Sequence, residues 1–80
     1  MEAAKLIELI VREMMDNPDA VSVTAIESRN LTILEVRVDR REIGHVIGKQ
    51  GYHAKALRTI LACIAAKERR RYSLEIIEPE

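Results

Sequence analysis

Residues 39 to 68 read as helix on both sides of a four-residue interruption, Gly48-Lys49-Gln50-Gly51. On its N-terminal side, Asp39-Arg40-Arg41-Glu42 places a capping residue three positions before a glutamate. That arrangement satisfies free amides at a helix start, and a short helix through Ile43, Val46 and Ile47 follows. Two glycines this close cost a helix about 1 kcal/mol each relative to alanine, so the helix must break there. A longer one restarts near Tyr52, with Leu57, Ile60, Leu61, Ile64 and Glu68 on one stripe. The flanks alternate: Thr32, Leu34, Val36 and Val38 share one face of a strand over residues 31–38, and Tyr72, Leu74 and Ile76 share one face over residues 71–77. Two helices between two strands supply enough chain for a crossover. The strands should therefore lie side by side and parallel, with right-handed crossing.

The N-terminal part completes the plan. Ala3, Leu6, Ile7, Ile10 and Met14 have the spacing of one helix face, and Asn17-Pro18-Asp19 stops that helix. Val21, Val23 and Ala25 then alternate with polar residues, and Glu27-Ser28-Arg29-Asn30 has turn chemistry. This first strand should pair antiparallel with the second as a hairpin. The expected fold is α+β in the order αββααβ: a three-stranded mixed sheet with helices on one face and a second face that needs no cover if it is polar.

With 80 residues, 48% apolar and 32% charged, the chain has room for one core, so residues 1–80 should form a single domain. A chain this small buries only about 60 to 65% of its unfolded surface, which makes a stabilising partner worth seeking. Cys63 is the only cysteine and no Cys/His cluster has ligand spacing, so neither an internal disulfide, a metal nor a cofactor is expected. Glu2 follows the initial Met1 and no apolar run approaches the ~18 residues of a membrane span, so a cytoplasmic protein without a membrane partner is expected. Thirteen basic residues balance thirteen acidic ones, yet their distribution is uneven. Residues 1–30 carry three basic against six acidic side chains, and residues 31–80 carry ten against seven. Six of the basic residues (Arg37, Arg40, Arg41, Lys49, Lys55, Arg58) fall in one short stretch, so part of the surface can be positive.

The Gly48–Gly51 loop carries the chemistry. Glycines remove the Cβ atoms that would hold a sugar-phosphate backbone away, and the following helix start offers unpaired amides and a positive dipole end to phosphate. Lys49 adds a mobile cation, with Gln50, Lys55 and Arg58 close by in sequence. Ile43, Val46, Ile47 and Leu57 could supply an apolar floor for bases, although some of them must face the core. Tyr52 either packs on the helix start or stacks on a base.

A Gly-x-x-Gly loop between the helices of an αββααβ chain resembles the KH fold, whose loop clamps about four nucleotides of single-stranded nucleic acid. The N-terminal helix and strand match its type II arrangement. Val46-Ile47-Gly48-Lys49-Gln50-Gly51 followed by Ala54-Lys55-Ala56-Leu57-Arg58-Thr59 is similar to the KhpA-type small bacterial KH proteins, over essentially the whole chain. The resemblance implies a non-enzymatic, cytoplasmic RNA-binding protein, a post-transcriptional regulator or RNA chaperone, that dimerises with itself or with a KhpB (Jag) type KH protein. The chain departs from the family pattern at His45, where a basic residue is usual, and at Tyr52, where an arginine is usual. The implied RNA-binding set is Ile43, Val46, Ile47, Gly48, Lys49, Gln50, Gly51, Tyr52, Lys55 and Arg58.

Other readings compete. A helix-turn-helix would place the second helix in a DNA major groove, but a helix beginning Tyr-His-Ala-Lys-Ala-Leu-Arg offers few base-reading side chains at its N-terminal end. A Walker loop lacks its four-residue spacing and Ser/Thr. A protein-interaction or ribosome-associated module is the alternative from another class. Lys67, Arg69, Arg70 and Arg71 read as a solvated helix end or as a distal phosphate contact. His45 and His53 are expected as exposed groove or surface residues, not as a catalytic pair, and Cys63 as a small buried apolar residue. On the long helix, the uncharged stripe Ala56, Thr59, Cys63 and Ala66 is the candidate dimer interface, unless it packs against another helix of the same chain.

Overall fold

A computed structural model describes residues 1–79. Helix α1 (Glu2–Met14) leads through a 3-10 turn at Pro18–Ala20 into strands β1 (Ser22–Glu27) and β2 (Thr32–Arg37). A second 3-10 turn (Arg40–Glu42) opens helix α2 (Ile43–Ile47); the glycine loop then joins it to helix α3 (Tyr52–Glu68), and strand β3 (Tyr72–Ile76) ends the sheet. The strand order is β1-β2-β3. β1 pairs antiparallel with β2, Ala25 opposite Leu34, and β2 pairs parallel with β3, Leu34 opposite Leu74. This is the α+β, three-stranded mixed sheet expected of a type II KH arrangement.

Central β2 carries the core: Thr32, Leu34, Val36 and Val38 are all buried, as their alternation requires. Ile7 and Val11 of α1, Val46 of α2 and Leu57 of α3 close over them. Each edge strand is tied by a side chain, since the Val23 amide of β1 donates to Glu8 (3.2 Å) and the Arg58 guanidinium donates to the Leu74 carbonyl of β3 (3.1 Å). Such contacts blunt the unpaired edges that otherwise invite other strands.

Both long helices bury most of the expected face, with one large apolar residue of each turned outward. In α1 Ala3, Ala4, Ile7 and Val11 are buried, Ile10 and Met14 pack against the core in part, and Leu6 is 40% exposed. In α3 Ala54, Leu57 and Leu61 are buried, and Ile60 is 39% exposed. Neighbouring residues lie about 100° apart around a helix, so Ile7 and Leu61 cannot be centred on the sheet without turning Leu6 and Ile60 toward solvent. Cys63 is exposed instead of buried, because it stands two positions past Leu61 and faces away from the sheet.

The expected reciprocal cap at Asp39 forms only in part. The Asp39 carboxylate accepts from the Arg41 amide (2.9 Å), but Glu42 turns away and accepts from the amides of Asp16 (2.7 Å) and Asn17 (2.8 Å) beyond α1. Glu42 is thereby a buried brace between the α2 start and the α1 end. Hydrogen bonds from the Arg41 side chain and amide, with a further one from Asn17, hold the Asp39 carboxyl far below the usual carboxylate range.

Candidate nucleic-acid interface

The short helix α2 ends because Gly48 leaves helical geometry, with φ 80° and ψ 164°, although its amide still reaches the Gly44 carbonyl (2.9 Å). Backbone in this region is essentially restricted to glycine. A Cβ at Gly48 would also lie 2.6 Å from the His53 ring and 2.8 Å from the His53 amide nitrogen. Gln50 (φ 57°) and Gly51 (φ 76°) are both left-handed, and the Gly51 amide closes the turn on the Gly48 carbonyl (2.9 Å). The turn leaves Lys49 and Gln50 exposed at its tip and starts α3 with no side-chain cap on its first amides.

His45 is exposed as expected, His53 is half-buried, and the two are neighbours in the fold. Their rings meet edge-on with centroids 5.5 Å apart. His53 Nδ1 donates to the His45 carbonyl (2.7 Å), and His45 Nε2 donates to the Met14 carbonyl (3.0 Å). Carbonyl oxygens only accept, so those two ring nitrogens carry hydrogens. The pair binds α1, α2 and the base of the loop together, which is a positioning role.

Beside the loop runs a groove of about 560 Å³, with Ile47, Gly51, Ala54, Lys55 and Arg58 along one wall and Ser73 to Ile76 of edge strand β3 along the other. Arg58, Ser73 and Leu74 also line its continuation past Leu61, Ala62 and Tyr72, a hollow of about 200 Å³. Ile47, Gly51, Lys55 and Arg58 of the expected set therefore line the groove, and Gly48, Lys49 and Gln50 form the loop at its end. Tyr52 is 62% exposed at the α3 start, with the Lys55 ammonium 5.8 Å from its ring centroid. Val46 is a correction: it is completely buried in the core and offers no surface to a base. Ile43 is half-buried, packs on the same core and is absent from the groove lining.

The basic stretch also divides. Arg41 is paired with Asp39 (2.9 Å) and Arg37 with Glu35 (3.2 Å), while Lys49, Lys55 and Arg58 stand at the loop and groove. The β3 wall and Ala54 were not anticipated from sequence. One signal was available: a strand that follows α3 and pairs parallel with β2, opposite β1, is an edge strand.

Of the four stripe residues on α3, Ala56, Thr59, Cys63 and Ala66 are all exposed, and Thr59 spends its hydroxyl on the Lys55 carbonyl (3.0 Å).

Residues 4–76 match the protein family described as KhpA/KhpB, KH domain. The chain is similar to the RNA-binding protein KhpA of Aquifex aeolicus (strain VF5), at 51% identity over 98% of this chain and 100% of that protein. It is also similar to the RNA-binding protein KhpA of Borreliella burgdorferi, at 45% identity over 92% of this chain and 90% of that protein. Likeness to the RNA-binding protein KhpA of Treponema pallidum is 45%, over 92% of each chain. No solved structure matches it.

Proposed function

This chain belongs to the KhpA/KhpB family of KH domains, a non-enzymatic RNA-binding family, and from that membership we propose that it clamps single-stranded RNA in the groove beside Gly48–Gly51. The observation that carries this reading is the junction of loop and groove. The open Cβ position of Gly51, Lys49 at the tip and an α3 start without a side-chain cap suit phosphates. Ile47 and Ala54 suit the faces of unstacked bases, and the β3 edge suits their polar rims. Arg58 rests on the Leu74 carbonyl and keeps donors to spare, because a guanidinium has five.

The test replaces Lys49 and Gln50 together with aspartate. Both are exposed, so the fold is kept and two negative charges face the phosphates. A charge-assisted contact is worth about 1.5 to 3 kcal/mol, and here it becomes repulsion, so affinity for single-stranded RNA should fall by well over tenfold. Unchanged affinity in the folded variant moves the site elsewhere.

A role as post-transcriptional regulator or RNA chaperone and a cytoplasmic location fit this activity; among the described residues no helix is long and apolar enough to cross a membrane. We further infer that the outer face of α3, with exposed Ala56, Thr59, Ile60, Cys63 and Ala66, receives a second copy of the chain or a KhpB (Jag) type partner. Small side chains at this spacing let two helices approach closely, and the domain's limited core gives it reason to bury more surface.

A further inference from the structure

We propose that the cleft between the β1–β2 turn and the α3–β3 connection is a second phosphate-binding site, which holds the backbone of RNA leaving the groove. It lies at the far end of α3 from the glycine loop, about 25 Å away along a helix of 17 residues. Main-chain bonding builds it: the Ser28 amide closes the turn on the Leu31 carbonyl (2.9 Å), and the Thr32 amide donates to the Arg71 carbonyl (2.9 Å). Arg29 from the turn and Arg69, Arg70 and Arg71 from the connection thereby line one cleft of about 590 Å³. Its lining contains one carboxylate, Glu27, and that pairs with Arg70 (3.6 Å). Glu68, the last residue of α3, accepts from the Tyr72 hydroxyl.

The side chains of Arg29, Arg69 and Arg71 are exposed and make no hydrogen bond or ion pair with any described residue. Three unpaired guanidiniums on one concave surface repel each other, and an anion with several oxygens relieves that repulsion through forked hydrogen bonds. The α3 dipole does not account for the cluster, since Arg29 belongs to another element. The terminal carbonyls of Ala65 and Ala66 are already taken by the amides of Arg70 and Arg69. Arg69 also holds left-handed backbone (φ 57°) at a position where glycine is the usual residue, so a charged side chain is kept where local geometry favours none. The hollow past Arg58 reaches Tyr72, the residue that follows Arg71 in the chain.

The inference rests on the groove reading for the identity of the ligand, and RNA length separates the two. The variant Arg29→Ser/Arg69→Gly/Arg71→Ser and the single variant Arg29→Glu are titrated with an RNA of about four nucleotides, the length one loop clamps, and with an unstructured RNA several times longer. The triple variant should bind the short RNA as the unmodified chain does and the long one about tenfold or more weakly at low salt. Its log-log salt slope for long RNA should be shallower by about 2, at roughly 0.7 per phosphate for three lost contacts. Arg29→Glu should move in the same direction. Equal long-RNA affinity and slope in folded variants overturn the cleft, as they would if it served an acidic protein instead. Failure of the unmodified chain to bind the short RNA overturns the groove reading, and the long-RNA slopes still judge the cleft.

Discussion

Gly48 is the residue on which the loop turns. Its φ and ψ exclude side chains, and a Cβ there would collide with both the ring and the amide nitrogen of His53. Gly51 differs: a Cβ there would have space, with Lys55 Cε 3.9 Å away, and only the left-handed φ opposes it. Gly51→Ala should therefore cost about 1 to 2 kcal/mol, whereas Gly48→Ala combines a forbidden conformation, about 1 to 3 kcal/mol, with a collision. Denaturant midpoints at equal slope should rank Gly48→Ala as the more destabilised. Adding His53→Ala should not restore it, because the backbone nitrogen at 2.8 Å stays in place. Full recovery in that double variant would show that the ring alone enforces the glycine.

At the scale of elements, the loop is held by what holds α2. Five residues form no stable helix in isolation, so α2 depends on its braces: buried Val46, the His45 bond to the end of α1 and the Glu42 carboxylate. Glu42→Gln keeps the shape of that brace and replaces one accepting oxygen with an amide nitrogen, which meets a backbone N–H donor to donor. A lost bond to a charged acceptor is worth about 1.5 to 3 kcal/mol, and that loss of stability is expected on denaturation. Because the brace anchors the start of the short helix that ends at Gly48, amide exchange at residues 43–51 should accelerate in the variant. Stability equal to that of the unmodified chain would mean that the two amides find water instead.

For the whole molecule, the division of surfaces decides how function is distributed. One end of α3 carries the glycine loop, the side toward β3 carries the groove, the far end carries the arginine cleft, and the outer face carries small uncharged residues. Cys63→Arg, on that outer face, should leave secondary structure unchanged since the side chain is exposed, and should convert a dimer to a monomer in light scattering. A monomer for the unmodified chain at high micromolar concentration overturns the homodimer and leaves only the related KH partner. A dimer binding long RNA with two grooves would gain by avidity over one domain.

Elements and their order were legible in the residues themselves. Alternation in residues 31–38, the proline stop at Pro18 and the paired glycines at 48 and 51 are local constraints that act whatever surrounds them. The crossover rule then assigned the strand pairing. Periodicity names a helix face but not its neighbour, and a single residue turns that face by about 100°. The burial of Val46, the exposure of Leu6, Ile60 and Cys63, and the retreat of Ile43 from the groove all depended on packing against the sheet. The same holds for partners distant in sequence. Glu42 had a local cap within reach and took two amides beyond α1, His53 reached back to the His45 carbonyl, and Arg29 met Arg69 to Arg71 across a turn. The contacts of Glu42 and of Arg29 form only once distant elements pack, because the chain between those partners has no local preference that would bring them together.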